Sequence, residues 1–118
     1  MNIYLASPYT HENPDVEAER FVKACETAGR LIQAGHIVYC PIAHSHPIKE
    51  CTKGMPGTWE FWQPIDHFFI RKLEAIVVLR LDGWRESVGV GGELLIGRTL
   101  VKPIGYVDYG STEIEWET

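Results

Sequence analysis

The chain has little that would grip a nucleic-acid backbone or a lipid bilayer. Of its 118 residues only 11 are Lys or Arg, against 16 Asp or Glu, for a formal charge of −5. A long phosphate backbone needs a basic face, which argues against extended nucleic acid as a partner. A single small nucleotide stays open, because backbone amides and one or two cations can hold one phosphate. No run of 18 apolar residues occurs, so no membrane-spanning helix is expected. No basic segment followed by a long apolar one opens the chain, so no secretory leader is expected either. Cysteines are few: Cys25, Cys40 and Cys51. A small odd number points to free thiols in a reducing compartment, and the expected location is cytoplasmic.

Apolar residues are plentiful, at 45%. A chain of this size buries about two-thirds of its unfolded surface, so one soluble domain spanning residues 1–118 is expected without a metal or disulfide staple. Ile3-Tyr4-Leu5-Ala6 reads as a first strand, broken by Ser7-Pro8-Tyr9. Asn13-Pro14 reads as a helix start, with Asn as cap and Pro at the first helical position. Phe21, Ala24, Cys25, Ala28, Leu31 and Ile32 continue it at helical spacing, and Gly35 ends it. Residues 36–40 read as a second strand.

Residues 42–57 contain two prolines and two glycines with no clear period, and read as a long loop. Pro64 sits badly inside a helix. The expectation is therefore a short turn at 59–62, Gln63 as cap and a helix from Pro64 onward. Residues 75–81 form a third strand, whose unbroken apolar run suits burial on both faces. Asp82–Gly92 reads as a glycine-rich loop, Glu93–Leu100 as a helix and Ile104–Val107 as a fourth strand. The order β-α-β-loop-α-β-α-β predicts a small flavodoxin-like (Rossmann-like) three-layer α/β sandwich with a parallel sheet of four to five strands. Ligands of such sheets sit beyond the carboxyl ends of the strands, here Ser7–Tyr9, Pro41–His46 and Asp82–Glu93.

Each polar residue at those ends has a plain alternative. Glu93 follows a glycine run; it is either an ionised carboxylate able to act as a nucleophile or an ordinary first-turn Glu complementing the helix dipole. Asp66 either serves the site or caps its own helix from the third position. Tyr9 is either a site hydroxyl or a half-buried aromatic with a wet hydroxyl. His44-Ser45-His46, with Cys40 and Cys51 nearby, matches no common zinc spacing, so no metal is expected. The aromatics Trp59, Phe61, Trp62, Phe68 and Phe69 exceed what one helix on a small sheet needs. They point to a homo-oligomer, a dimer or higher.

Three segments carry a resemblance: Ile3-Tyr4-Leu5-Ala6-Ser7-Pro8-Tyr9, Trp62-Gln63-Pro64-Ile65-Asp66 and Gly83 through Glu93. Together they resemble the nucleoside 2-deoxyribosyltransferase-like superfamily. The run from Ser87 to Glu93 also resembles that of the deoxynucleoside 5′-monophosphate N-glycosidases. The resemblance implies a nucleoside or nucleotide N-glycosidase or 2-deoxyribosyltransferase acting on a small deoxynucleotide, without a cofactor. It implies Glu93 as the nucleophile at C1′, Asp66 as the acid beside it and Tyr9 as the hydroxyl that orients the nucleophile. Ser87 would meet a 5′-phosphate, and Ser7, Gly89, Gly91 and Trp84 would complete the substrate pocket. The chemistry is coherent: breaking an N-glycosidic bond builds positive charge at C1′, which one carboxylate captures while an acid assists the leaving base. Two other classes stay open on sequence, a non-catalytic nucleotide-binding module and a metal-dependent hydrolase using His44 and His46.

Overall fold

The two unbroken apolar runs become neighbouring central strands. In the computed structural model, which describes residues 1–118, β1 (Asn2–Ala6) pairs in parallel with β3 (Ala75–Leu79), with Leu5 opposite Val77. On the far side of β1 lies β2 (Ile37–Tyr39); on the far side of β3 lies β4 (Ile104–Val107), also parallel. A two-residue strand, β5 (Glu115–Trp116), adds antiparallel to β4. The order is β2-β1-β3-β4-β5, a five-stranded, mostly parallel sheet of the flavodoxin-like kind. The chain turns outward in opposite directions from β1 and β3, so the crevice of such a sheet opens at their carboxyl ends.

Strand alternation divides the core in two. Ile3, Leu5, Val77 and Leu79 face α1 (Pro14–Gln33) and α2 (Pro41–Cys51), packing with Ala24, Leu31 and Ile42. Tyr4, Ala6, Ile76 and Val78 face α3 (Trp59–Lys72) and α4 (Val88–Thr99), packing with Ile70 and Val90. No helix is long and apolar enough to cross a membrane. The start of α1 is as expected: the Asn13 side chain accepts the Asp15 N–H at 2.9 Å, and Pro14 opens the first turn. Gly35, at φ 101°, takes the left-handed conformation that follows the helix.

Three expectations about helices are corrected. Residues 41–51 are not loop but α2. Pro41 sits in its first turn, and Pro47 stands on an exposed side of it. There, water can serve the carbonyl that a proline leaves unbonded. The same holds for Pro64, exposed inside a continuous α3 whose cap is Thr58, not Gln63; the Thr58 side chain accepts the Phe61 N–H at 3.4 Å. Finally, α4 begins at Val88, so Gly89, Gly91 and Gly92 are helical rather than loop. Two of the α4 glycines are packing devices. A Cβ at Gly92 would overlap the Trp59 indole of α3, and one at Gly97 would overlap Ile76 of β3.

Candidate active site

A cleft of about 530 Å³ lies where the fold predicts one, beyond the ends of β1, β2 and β3. Ser7 and Tyr9 reach it from the end of β1, Asp66 from α3, and Ser87, Gly89 and Glu93 from the start of α4. Six of the eight residues singled out in the sequence therefore meet in one place. Trp84 and Gly91 do not. Trp84 packs on Tyr106, with ring centroids 5.5 Å apart, and belongs to the apolar cluster under α3 and α4. Gly91 is exposed on the outer side of α4.

Helix boundaries decide the character of the two acids. Because α3 starts at Trp59, Asp66 is its eighth residue and too deep to cap it; the residue is 8% exposed. Because α4 starts at Val88, Glu93 is its sixth residue, 4% exposed, and not a first-turn surface group. The plain alternatives for both residues fall with those boundaries. So does the expectation that Glu93 simply stays ionised beside a helix start. Burial pushes its pKa well above the usual carboxylate range, the nearby Asp66 charge raises it further, and a hydrogen bond from Tyr4 partly opposes both. Burial also lifts Asp66, to about 6. Asp66 and Glu93 line one cleft and the charge of Asp66 raises Glu93, so the two carboxyls resist ionising together.

The hydroxyl bonded to Glu93 belongs to Tyr4, not Tyr9. Tyr4 O–H donates to Glu93 Oε2 inside the protein. Tyr4 is fully buried, and its phenol is held well above its ordinary pKa by burial and by both carboxylates, so it stays a donor. The sequence hid this role because Tyr4 lies in a strand that reads as pure core. Alternation along β1 turns Tyr4 toward α3 and α4, on the same side as the acids. Tyr9 lines the cleft at its other flank, where its hydroxyl shares a 2.5 Å hydrogen bond with His46 Nδ1. His46 stacks on Phe21 at 4.2 Å. His44 takes a different tyrosine, Tyr39, at 3.3 Å. The two histidines are thus each engaged by an aromatic partner on opposite sides of α2.

Ser87 caps α4: its Oγ accepts the Val90 N–H at 3.2 Å. The hydroxyl proton remains available to a ligand, as do the Val88 and Gly89 amides, which have no intrahelical partner. Lys49, on the helix missed in the sequence, is the one basic residue lining the cleft. It lies 3.8 Å from Glu17 and 4.6 Å from the centre of the Tyr9 ring. Glu17, Glu60 and Glu86 join the two buried acids, so the lining is predominantly acidic.

The fold has a solved counterpart. The 2-deoxyribosyltransferase of the psychrotolerant bacterium Bacillus psychrosaccharolyticus superposes with a TM-score of 0.55 at 24% identity, over 92% of this chain and 74% of that one. That likeness establishes the architecture, a deoxyribosyltransferase-like α/β fold. No curated protein matches the sequence. A family model does, over residues 1–106, and by that match the chain belongs to the family described as a domain of unknown function, DUF1937.

Proposed function

We propose that the protein cleaves the N-glycosidic bond of a small nucleotide through a covalent glycosyl-enzyme, with Glu93 as the nucleophile. The observation that carries this reading is the buried pair of Glu93 and Asp66 at the cleft, with Tyr4 donating to Glu93. In the reaction the Glu93 carboxylate bonds C1′ as the bond from C1′ to the base nitrogen breaks. The proton held by the acid pair passes through Asp66 to the departing base. Water or a second base, giving up a proton to the Asp66 carboxylate, then attacks C1′ as the bond from C1′ to Glu93 breaks, giving hydrolysis or transfer. Burial makes the charge on Glu93 costly in the free protein, and positive charge developing at C1′ offsets that cost in the transition state. Binding is to a small nucleoside or nucleotide, as the fold suggests; the fold alone does not fix the pentose.

The test is base release from a panel of nucleosides and their 5′-monophosphates. Glu93→Gln keeps the shape of the buried side chain and should abolish release while the protein stays folded. Turnover by Glu93→Gln within tenfold of the unmodified protein would remove Glu93 from the mechanism. A non-catalytic nucleotide-binding module predicts binding without release in both proteins.

A further inference from the structure

Arg20 joins two loops that the sheet leaves separate. It sits on α1, and its guanidinium donates to the Tyr9 and Thr10 carbonyls at 3.3 and 3.1 Å and to the Asp82 carbonyl at 3.0 Å. It forms no salt bridge, so the planar fork serves main-chain acceptors alone. The loop after β1 is otherwise lightly held. Residues 8–12 enter no hydrogen bond between backbone groups, and the His11 N–H goes to the Glu17 carboxylate at 3.1 Å. The loop after β3 is shaped around the guanidinium: Gly83 stands at φ 88°, and a Cβ there would lie 2.9 Å from Arg20 Nη2.

Both loops border the cleft. Tyr9 and Thr10 line it from the first, Glu86 and Ser87 from the second. The acids come from α3 and α4, and the Tyr4 donor from within β1. The Arg20 bonds therefore bear on the walls of the cleft and not on the reacting groups. We propose that Arg20 is a positioning residue, a clasp that fixes the two loop walls at the separation a bound substrate needs. Bonds from a guanidinium to carbonyls are charge-assisted and stronger than neutral ones. Three of them from one rigid fork keep either loop from swinging alone. The catalytic part of this inference rests on the reading of the cleft as a glycosidic site. There, loss of the clasp misplaces the substrate without touching the acid pair, so binding suffers more than chemistry.

The experiment compares the unmodified protein with Arg20→Ala and Arg20→Lys, by base release from nucleoside 5′-monophosphates and by amide hydrogen exchange. In Arg20→Ala, KM should rise about tenfold while kcat stays within about threefold and the pH–rate profile stays in place. Arg20→Lys keeps the charge but replaces the fork with a single ammonium, so it should retain about half or more of the KM defect. It carries the test if Arg20→Ala does not fold. An unchanged KM in a folded variant overturns the proposal. In the exchange arm, the His11 amide of the first loop and the Trp84 and Glu86 amides of the second are bonded to Glu17, Leu81 and Gly83. All three should exchange about tenfold faster in the variants, while Leu5 and Val77 of the central strands hold their rates. Acceleration in one loop only, or equal acceleration in the central strands, overturns the clasp. If no substrate releases its base, the glycosidic reading itself fails, and the exchange rates alone decide whether Arg20 couples the two loops.

Discussion

The Tyr4 hydroxyl donates to Glu93 across 89 positions of sequence, tying the first strand to the second turn of α4. The bond favours the carboxylate over the acid, against the pull of burial and of Asp66. Tyr4→Phe keeps the ring in its core position and removes only the donor. It should lower kcat about ten- to a hundredfold, since a hydrogen bond to a charged group is worth about 1.5–3 kcal/mol. The rising limb of the pH–rate profile should move to higher pH, because the Tyr4 hydroxyl lowers both carboxyls and without it the pair gives up its first proton with more difficulty. Tyr9→Phe serves as the contrast, touching His46 instead, and should leave that limb in place. Identical pH profiles for Tyr4→Phe and the unmodified protein would sink the orienting role.

Stability should fall as pH rises through the mildly acidic range. Asp66 titrates at about 6 in the folded protein, above the ordinary carboxylate value near 4. Below about pH 4 the folded and unfolded chains both hold the proton and nothing is lost. Between about 4 and 6 the unfolded chain releases a proton that the folded one keeps, so stability drops, by on the order of 3 kcal/mol for this residue. Glu93, raised further, extends the loss to higher pH. Denaturant midpoints at pH 4.5 and pH 8 (about the two ends of the window) should differ in that direction. Asp66→Asn should shrink the difference; a midpoint rising with pH in the unmodified protein would contradict it.

Much of the fold was legible because the strands and α1 carry strong signals: unbroken apolar runs, a capping Asn13 and an exit Gly35. The helix limits around the site were not. Pro47 and Pro64 look like breakers until their exposed positions are known. Gly89, Gly91 and Gly92 look like a phosphate loop until Trp59 is seen filling the space above Gly92. Those boundary errors turned two buried acids into apparent surface groups. Tyr4 stayed hidden for a different reason: a hydroxyl inside a core strand gains a role only from a partner 89 residues away.

On the proposed function, Ser87 and the free Val88 and Gly89 amides of α4 would seat a 5′-phosphate. Monophosphates should be preferred over nucleosides by about ten- to a hundredfold in kcat/KM. Ser87→Asp separates the hydroxyl's two duties, because Asp caps a helix as well as Ser does but repels a phosphate. It should stay folded and lose the preference. Glu86 lines the cleft next to Ser87 and opposes the same phosphate, so Glu86→Gln should sharpen the preference a few-fold. Equal efficiency of the unmodified protein on nucleoside and monophosphate would remove the phosphate seat.

The aromatic surplus divides once the structure is known. Trp59 fits over Gly92, and Phe69 stacks on Tyr39 with centroids 4.0 Å apart. Phe61 and Phe68 remain 45% and 47% exposed on α3, with Ile65 between them, and Leu95 is exposed on neighbouring α4. An apolar strip of this kind suits a second copy of the chain. Sedimentation at micromolar concentration should report a dimer or larger species, and Phe68→Glu should dissociate it. A monomer for the unmodified protein would count against the strip as an interface.

The small antiparallel β5 has a consequence for how copies can meet. It covers the outer edge of β4, and the tail beyond it is held by Arg98, whose guanidinium grips Glu117 at 2.8 and 3.0 Å. At the opposite edge β2 is only three residues long. Neither rim of the sheet presents a long row of free amides and carbonyls to a passing strand. Edge-to-edge stacking, the route by which sheets recruit one another into fibrils, finds little template here. Concentrated protein should accordingly associate through side-chain surfaces and stay reversible on dilution.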